Sequence, residues 1–263
     1  MTAVDPDTAR RAAKAPRAIL AGTDLGRAAW EFGAYACTFP VMSTAPVSPD
    51  CQPVLVLPGF TTSDRTTTPL RMTLKNLGYP TYGWGLGVNV GPSDRILRGM
   101  RRKLDAIERL HGQPVSIIGW SLGGIFAREL ARQTPEMVRQ VITLGSPFRM
   151  QRHAQSNARF AYRLAKPLHA RMLDFPLEAD APPLEMPSTA LYSRLDGIAA
   201  WQVCRDDPSD LSENIEVLCS HLGFGHNLPA VWAVADRLSL PAGTLEPFVP
   251  PKMLRPFFPK VSG

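Results

Sequence analysis

Along the chain, short runs of apolar, β-branched residues alternate with longer stretches whose apolar positions recur at helical spacing. "PVLVLPGF" (53–60) is an apolar run ended by Pro-Gly, the pattern of a strand buried on both faces. "TPLRMTLKNLG" then repeats apolar residues at helical spacing and stops at Gly78, a helix C-cap signal, before "YPTYGWG" (79–85), which fits a second short strand. "PSDRILRGMRRKLDAIERLHG" opens on Ser93 or Asp94 as cap and places Ile96, Leu97, Met100, Leu104, Ile107 and Leu110 on one face. "PVSIIGW" predicts a strand, "SLGGIFARELARQ" a helix and "VRQVITLGSPF" another strand. The rhythm resumes with "STALYS" (188–193), "ENIEVLC" (213–219) and the helix "LPAVWAVADRL" (228–238). Such alternation predicts an α/β fold: a mostly parallel sheet with helices on both faces, joined by right-handed crossovers.

Three segments stand apart from this rhythm. Residues 1–50 read as an N-terminal extension, helical and then irregular, with Trp30, Phe32, Tyr35 and Phe39 available to pack on the main domain of 51–240. Residues 149–187 are basic, partly helical and then proline-rich, as expected of a cap or lid inserted between sheet strands. Residues 241–263 hold too many prolines for a helix or central strand and predict an extended or partly disordered arm.

Composition narrows the class without naming a function. With 263 residues, 44% hydrophobic and 20% charged, the chain fits one large globular domain. Its net charge of +6 comes without a dense Lys/Arg run interleaved with aromatics, so no nucleic-acid partner is expected. The basic residues of the cap (Arg149, Arg152, Arg159, Arg163, Lys166, Arg171) offer either a solvated face or a peripheral contact with anionic membranes. Neither a signal-peptide core nor an apolar run of about 18 residues is present, and a cytoplasmic protein is expected. Cys37, Cys51, Cys204 and Cys219 lack metal-ligand spacing and are expected as thiols, with a Cys204–Cys219 disulfide as the alternative. No metal is implied, and no cofactor: Gly119, Gly123 and Gly124 do not form a dinucleotide-binding pattern. The oligomeric state is not set by the sequence.

The chemistry lies in "VSIIGWSLGGIFAREL" (115–130). A strand that turns within a residue or two into a helix strains the backbone at its apex, and bulky neighbours two positions either side would collide. Gly119 and Gly123 relieve that collision. The apex side chain, Ser121, is then presented above the sheet at the positive end of the helix, where the Leu122 N–H can bind a developing oxyanion. This is G-x-S-x-G, the nucleophile elbow, in strand-turn-helix context.

With that elbow, the segments "PVLVLPGF", "GWGLGVNVGP", "VITLGSPF", "LYSRLDGIAAW" and "SHLGFGHN" resemble bacterial lipase-like and esterase-like α/β-hydrolases over roughly residues 50–240. The resemblance implies an α/β-hydrolase fold and a serine activated by a histidine that an acid orients, in chain order Ser, acid, His. His111 precedes the serine, and His153 and His169 lie in the cap, which leaves His221 and His226. His221, after the last strand, is the expected base, and His226 a capping or pocket residue or the alternative base. Asp196, in "LYSRLDGIA", resembles the family's acid, with Gly197 permitting a tight turn; Asp206, Asp207 and Asp210 read as solvated loop carboxylates. Phe60 N–H is the expected second oxyanion donor. Pro58 stands where the common pattern has a histidine, a departure that bears on loop shape more than on a backbone donor.

The function expected is therefore cleavage of carboxylic esters, of small molecules or lipids, through an acyl-enzyme on Ser121. Trp84, Trp120 and Phe148, with Phe60 and Leu86, are candidates for an apolar acyl slot, although both tryptophans read equally well as core. Asn89 reads either as part of a loop at the mouth or as a structural turn residue. An acyltransferase using the same three residues, and a noncatalytic lipid-binding protein on a hydrolase scaffold, are the alternatives. Dehalogenase and epoxide hydrolase chemistry is disfavoured because those relatives carry aspartate at the elbow.

Overall fold

In the computed structural model, residues 6–150, 155–157 and 181–259 are described. The chain opens with α1 (Pro6–Ala12) and α2 (Ala18–Thr38), then runs β1 (Val54–Leu57), α3 (Thr68–Asn76), β2 (Thr81–Gly83), α4 (Asp94–His111), β3 (Val115–Trp120) and α5 (Leu122–Gln133). It continues with β4 (Val138–Leu144), β5 (Ser188–Tyr192), β6 (Ser212–Glu216) and α6 (Leu228–Ser239). Among the described residues the strands form one sheet in the order β2-β1-β3-β4-β5-β6, every neighbouring pair parallel.

Strands β1, β3 and β5 are buried along their whole length because helices cover both sheet faces, and alternate residues feed two separate cores. Val54, Val56, Ile118 and Trp120 face one side with Leu70 and Leu74 of α3 and the alanine-rich α6. Leu55, Leu57, Val115 and Ile117 face the other, against Ile96, Met100, Leu104 and Ile107 of α4 and Phe126 and Leu130 of α5. The expected α4 stripe is thus seated, except that Leu110 is exposed. That helix is capped at both ends: Ser93 Oγ accepts the Ile96 N–H, and Gly112, at φ 63°, donates to the Glu108 carbonyl.

The sheet order reverses direction after β2, since β1 lies between β2 and β3. Loops leaving the C-terminal ends of β1 and β3 therefore diverge and open a crevice, the usual place for a site in an open α/β sheet. Residues 58–60 and Ser121 follow those two strand ends.

Several expectations need correction. In α2, Tyr35 packs into the core as expected, but Trp30 and Phe32 are exposed. All three charged residues of that helix, Asp24, Arg27 and Glu31, lie on its buried or half-buried side. Strand β6 ends at Glu216, three residues short of the expected end, because Leu218 N–H turns to the carbonyl of Phe257 in the C-terminal arm. The arm is irregular from 241 and ends in turns with a short 3₁₀ segment at Arg255–Phe257, with Leu254 and Phe258 buried against the sheet's α6 side. Most of the expected cap (149–187), including His153, His169 and the basic residues after Arg149, falls outside the described residues. No described helix is long and apolar enough to cross a membrane.

Candidate active site

At the end of β3 the chain reverses into α5 through one residue, and that residue is strained: Ser121 has φ 52° and ψ −120°. The surroundings hold it there. Its N–H donates to the Leu144 carbonyl at 2.9 Å, and Ser146 Oγ donates to the Gly119 carbonyl at 3.3 Å. The glycines explain how the pieces fit so closely. A Cβ on Gly123 would stand 2.8 Å from the carbonyl oxygen of Pro58, and one on Gly119 would strike the backbone of Gly124. The position of Gly59 is also telling, because a Cβ there would lie 3.3 Å from Ser121 Cβ. The Pro58–Gly59–Phe60 turn thus runs beside the elbow, where Leu122 opens α5 directly after Ser121.

Two further loops reach the same point. Ser121 Oγ lies 3.0 Å from His221 Nε2, to which its hydroxyl donates, and His221 Nδ1–H donates to Asp196 Oδ2 at 2.6 Å. The other carboxylate oxygen of Asp196 accepts the N–H groups of Ile198 and Ala199, each at 2.7 Å, which fixes the acid's orientation. Asp196 and His221 are buried, whereas Ser121 is half-exposed. Burial alone would disfavour an imidazolium at 221. The carboxylate of Asp196, its hydrogen bond, and the nearby charge of Asp24 outweigh burial, and the pKa of His221 is raised above 6.5.

The remaining candidates divide. His226 is not at the serine: its Nε2–H donates to the Ala28 carbonyl at 2.9 Å and Phe32 packs edge-on against its ring. Burial depresses its pKa. Trp84 and Phe148 are each 1% exposed, so neither shows a ring to the crevice. Trp84 is core, its Nε1–H bonded to the Gly87 carbonyl, and Phe148 lies under the guanidinium of Arg128. Leu86 packs onto Gly99 of α4. Trp120, 6% exposed, donates its Nε1–H to the His221 carbonyl at 3.0 Å and so braces the histidine loop. Asn89 is a strut, with its side-chain N–H on the Pro58 carbonyl at 2.8 Å and its own N–H and carbonyl paired with Thr62 and Thr61 at 2.7 Å each. Asp207 and Asp210 are exposed as expected, but Asp206 is buried between Arg128 and Arg149, at 2.8 Å from each. Cys204 and Cys219 are separate buried thiols, not a disulfide, and burial pushes both pKa values up.

Sequence reasoning missed Asp24 and Glu31. Asp24 accepts the N–H groups of Gly197, His221 and Leu222, and Glu31 those of Ser220 together with its hydroxyl. Gly197 does not need a left-handed turn; a Cβ there would press on Leu20 and Asp24. The available signal was charge placement: the helix's three charges fall at positions 24, 27 and 31, one face, in an otherwise uncharged segment.

Comparison with known proteins identifies the fold and the family. The family described as alpha/beta hydrolase fold matches residues 54–198, and the chain belongs to it. The fold is similar to that of Aspergillus fumigatus lipase B, with 16% identity and a TM-score of 0.57 over 77% of this chain and 57% of that one. It is similar also to a Bacillus licheniformis lipase in its mature form, at 14% identity and TM-score 0.52, over 74% of this chain and 94% of the other. A Paleococcus ferrophilus monoacylglycerol lipase gives 14% identity and TM-score 0.52, over 74% and 97%. The chain spans little more than half the length of the Aspergillus lipase, and these identities speak to fold alone. No curated protein matches the sequence. Hydrolysis is the class of chemistry that this family membership supports.

Proposed function

We propose that the protein is a serine hydrolase that cleaves carboxylic esters, with Ser121 as nucleophile, His221 as general base and acid, and Asp196 as the orienting acid. The single observation that carries this reading is the pair of contacts at 3.0 and 2.6 Å that links a strained elbow serine to a buried carboxylate through one imidazole.

As Ser121 Oγ attacks the ester carbonyl carbon, its proton passes to His221 Nε2, and Asp196 stabilises the imidazolium. The carbonyl oxygen becomes an oxyanion for which the backbone N–H groups of Leu122 and Phe60 are the donors, the first reinforced by the N-terminus of α5. Collapse breaks the bond to the alkoxy group, which leaves as an alcohol with the proton from Nε2. Water, deprotonated by the same nitrogen, attacks the acyl-enzyme; the carboxylic acid departs and Ser121 regains its proton. A small-molecule or lipid ester suits a crevice of this kind.

The test is Ser121→Ala assayed on a short-chain nitrophenyl ester, with labelling by a fluorophosphonate probe as a second readout. The variant is expected to fold normally, to lose labelling, and to lose turnover by about a thousandfold or more. Wild-type turnover in the variant, or a wild-type protein that neither labels nor hydrolyses esters, would refute the reading.

A further inference from the structure

We infer that Asp24, on the N-terminal helix outside the family match, is a positioning residue for this site: one buried carboxylate that ties the turn of the acid to the loop of the histidine. The inference rests on the reading of Ser121, His221 and Asp196 given above.

The geometry is reciprocal. Asp24 Oδ2 accepts the N–H of Gly197, next to Asp196 in the chain, and the N–H of His221 itself, each at 3.0 Å. Oδ1 accepts the Leu222 N–H at 2.9 Å. One side chain, 2% exposed, therefore holds both loops whose separation sets the His221–Asp196 contact. Along the same helix face, the Ala28 carbonyl receives His226 and Glu31 receives Ser220, so residues 24, 28 and 31 grip the segment 220–226 over two turns. Two glycines permit the approach: a Cβ on Gly197 would lie 2.8 Å from Asp24 Oδ2, and one on Gly223 would overlap Glu31.

A carboxylate is the side chain this pocket requires. It faces three N–H donors, and an asparagine could accept from only one of its two terminal atoms, leaving amide against amide. Its charge also acts on the imidazole. Among the described residues, the groups facing His221 are Asp196 and Asp24 directly, Glu31 through Ser220 and Arg27 through Asp24, while the buried thiols Cys204 and Cys219 lie near Asp196. Asp24 thus adds to Asp196 in favouring the imidazolium that forms when Ser121 gives up its proton.

The variants are Asp24→Asn, Arg27→Gln and, as a control on the exposed face, Leu25→Gln. Each is read by ester kinetics against pH, by thermal unfolding, and by NMR titration of the His221 ring in ¹⁵N-histidine-labelled full-length protein. Asp24→Asn is expected to lower kcat by about 10- to 100-fold with KM little changed, and to move the His221 midpoint to lower pH. Arg27→Gln removes the cation beside Asp24 and is expected to move that midpoint to higher pH. Leu25→Gln should match wild type in all three measurements.

A folded Asp24→Asn with wild-type kcat and His221 midpoint, or one whose only change is a lower unfolding temperature, would overturn the inference. Should Asp24→Asn not fold, Arg27→Gln decides: an unchanged midpoint overturns it and an upward shift supports it. The NMR arm stands apart from turnover, so absence of ester hydrolysis in wild type would sink the proposed activity without deciding the role of Asp24.

Discussion

His221 illustrates how a single residue's properties come from what surrounds it. Buried among apolar neighbours, an imidazole would titrate below its ordinary value; beside Asp196 and Asp24 it titrates above. In the proposed mechanism the neutral ring accepts the serine proton, so the activity proposed requires His221 deprotonated. A raised pKa means that kcat/KM for an ester should fall as pH drops through a midpoint above 6.5, the ordinary imidazole value. A pH–rate profile checks this, and an acidic limb centred below 6.5 would contradict it. Ser121 was legible at this scale because elbow geometry leaves a local mark, two glycines flanking a serine after a β-branched run. Asp196 and His221 leave no such mark. They emerged from chain order and from a resemblance, since a carboxylate and an imidazole 25 residues apart meet only through the sheet.

At the scale of elements, the loop carrying Phe60 depends on a second loop, the one after β2. Asn89 is fully buried, and its side chain spans from the Pro58 carbonyl to the Gly91 N–H, at 2.8 and 3.1 Å. Asn89→Ala removes that bridge and leaves a buried carbonyl without its donor. Loss of kcat by about tenfold or more is expected from displacement of the Pro58–Phe60 turn, the proposed source of one oxyanion donor, alongside a stability loss of about 1–3 kcal/mol. Steady-state kinetics and urea unfolding measure the two effects, and a variant equal to wild type in kcat would show that the strut does not act on the site. Periodicity located β1, α4, β3 and α5 well because each buries a stripe of its own residues. Along α2 and its C-cap the expected packing of Tyr35 and Phe39 is seen and that of Trp30 and Phe32 is not, for a related reason. That helix turns Asp24 and Glu31 inward to accept backbone N–H groups, with Arg27 donating to the carbonyls of Leu20 and Leu195, and leaves Ile19, Leu25, Trp30 and Phe32 exposed, which inverts the pattern that hydrophobic spacing detects.

Across the whole molecule, a buried ionic cluster joins parts far apart in sequence. Asp206 sits between Arg128 of α5 and Arg149 after β4, and Arg128 covers the ring of Phe148 at 4.1 Å. Despite burial, the two guanidiniums hold the Asp206 carboxyl below its usual range. Asp206→Ala removes the buried carboxylate that both guanidiniums share, while the exposed Asp207 stays 3.2 Å from Arg149, and is expected to destabilise the fold by about 3–5 kcal/mol. Chemical denaturation would register this as a lower midpoint with an unchanged slope; a change below about 0.5 kcal/mol, the range of ordinary surface substitutions, would count against the cluster. In the sequence Asp206 looked like one of several loop carboxylates, because nothing nearby in the chain reveals that α5 and the loop after β4 converge on it.

The sequence alone determined the alternation of strands and helices, the parallel α/β architecture and the identity of the elbow serine, since these follow from side-chain periodicity and backbone sterics within a few residues. Only the tertiary structure decided which aromatics are core, that Asp206 is buried, that Cys204 and Cys219 stand apart, and that α2 reaches the histidine loop. Those outcomes depend on burial and on contacts between segments up to 198 residues apart, as in the bond from Leu222 to Asp24. No local pattern encodes such contacts, because the energy of each group is set by neighbours that folding brings to it.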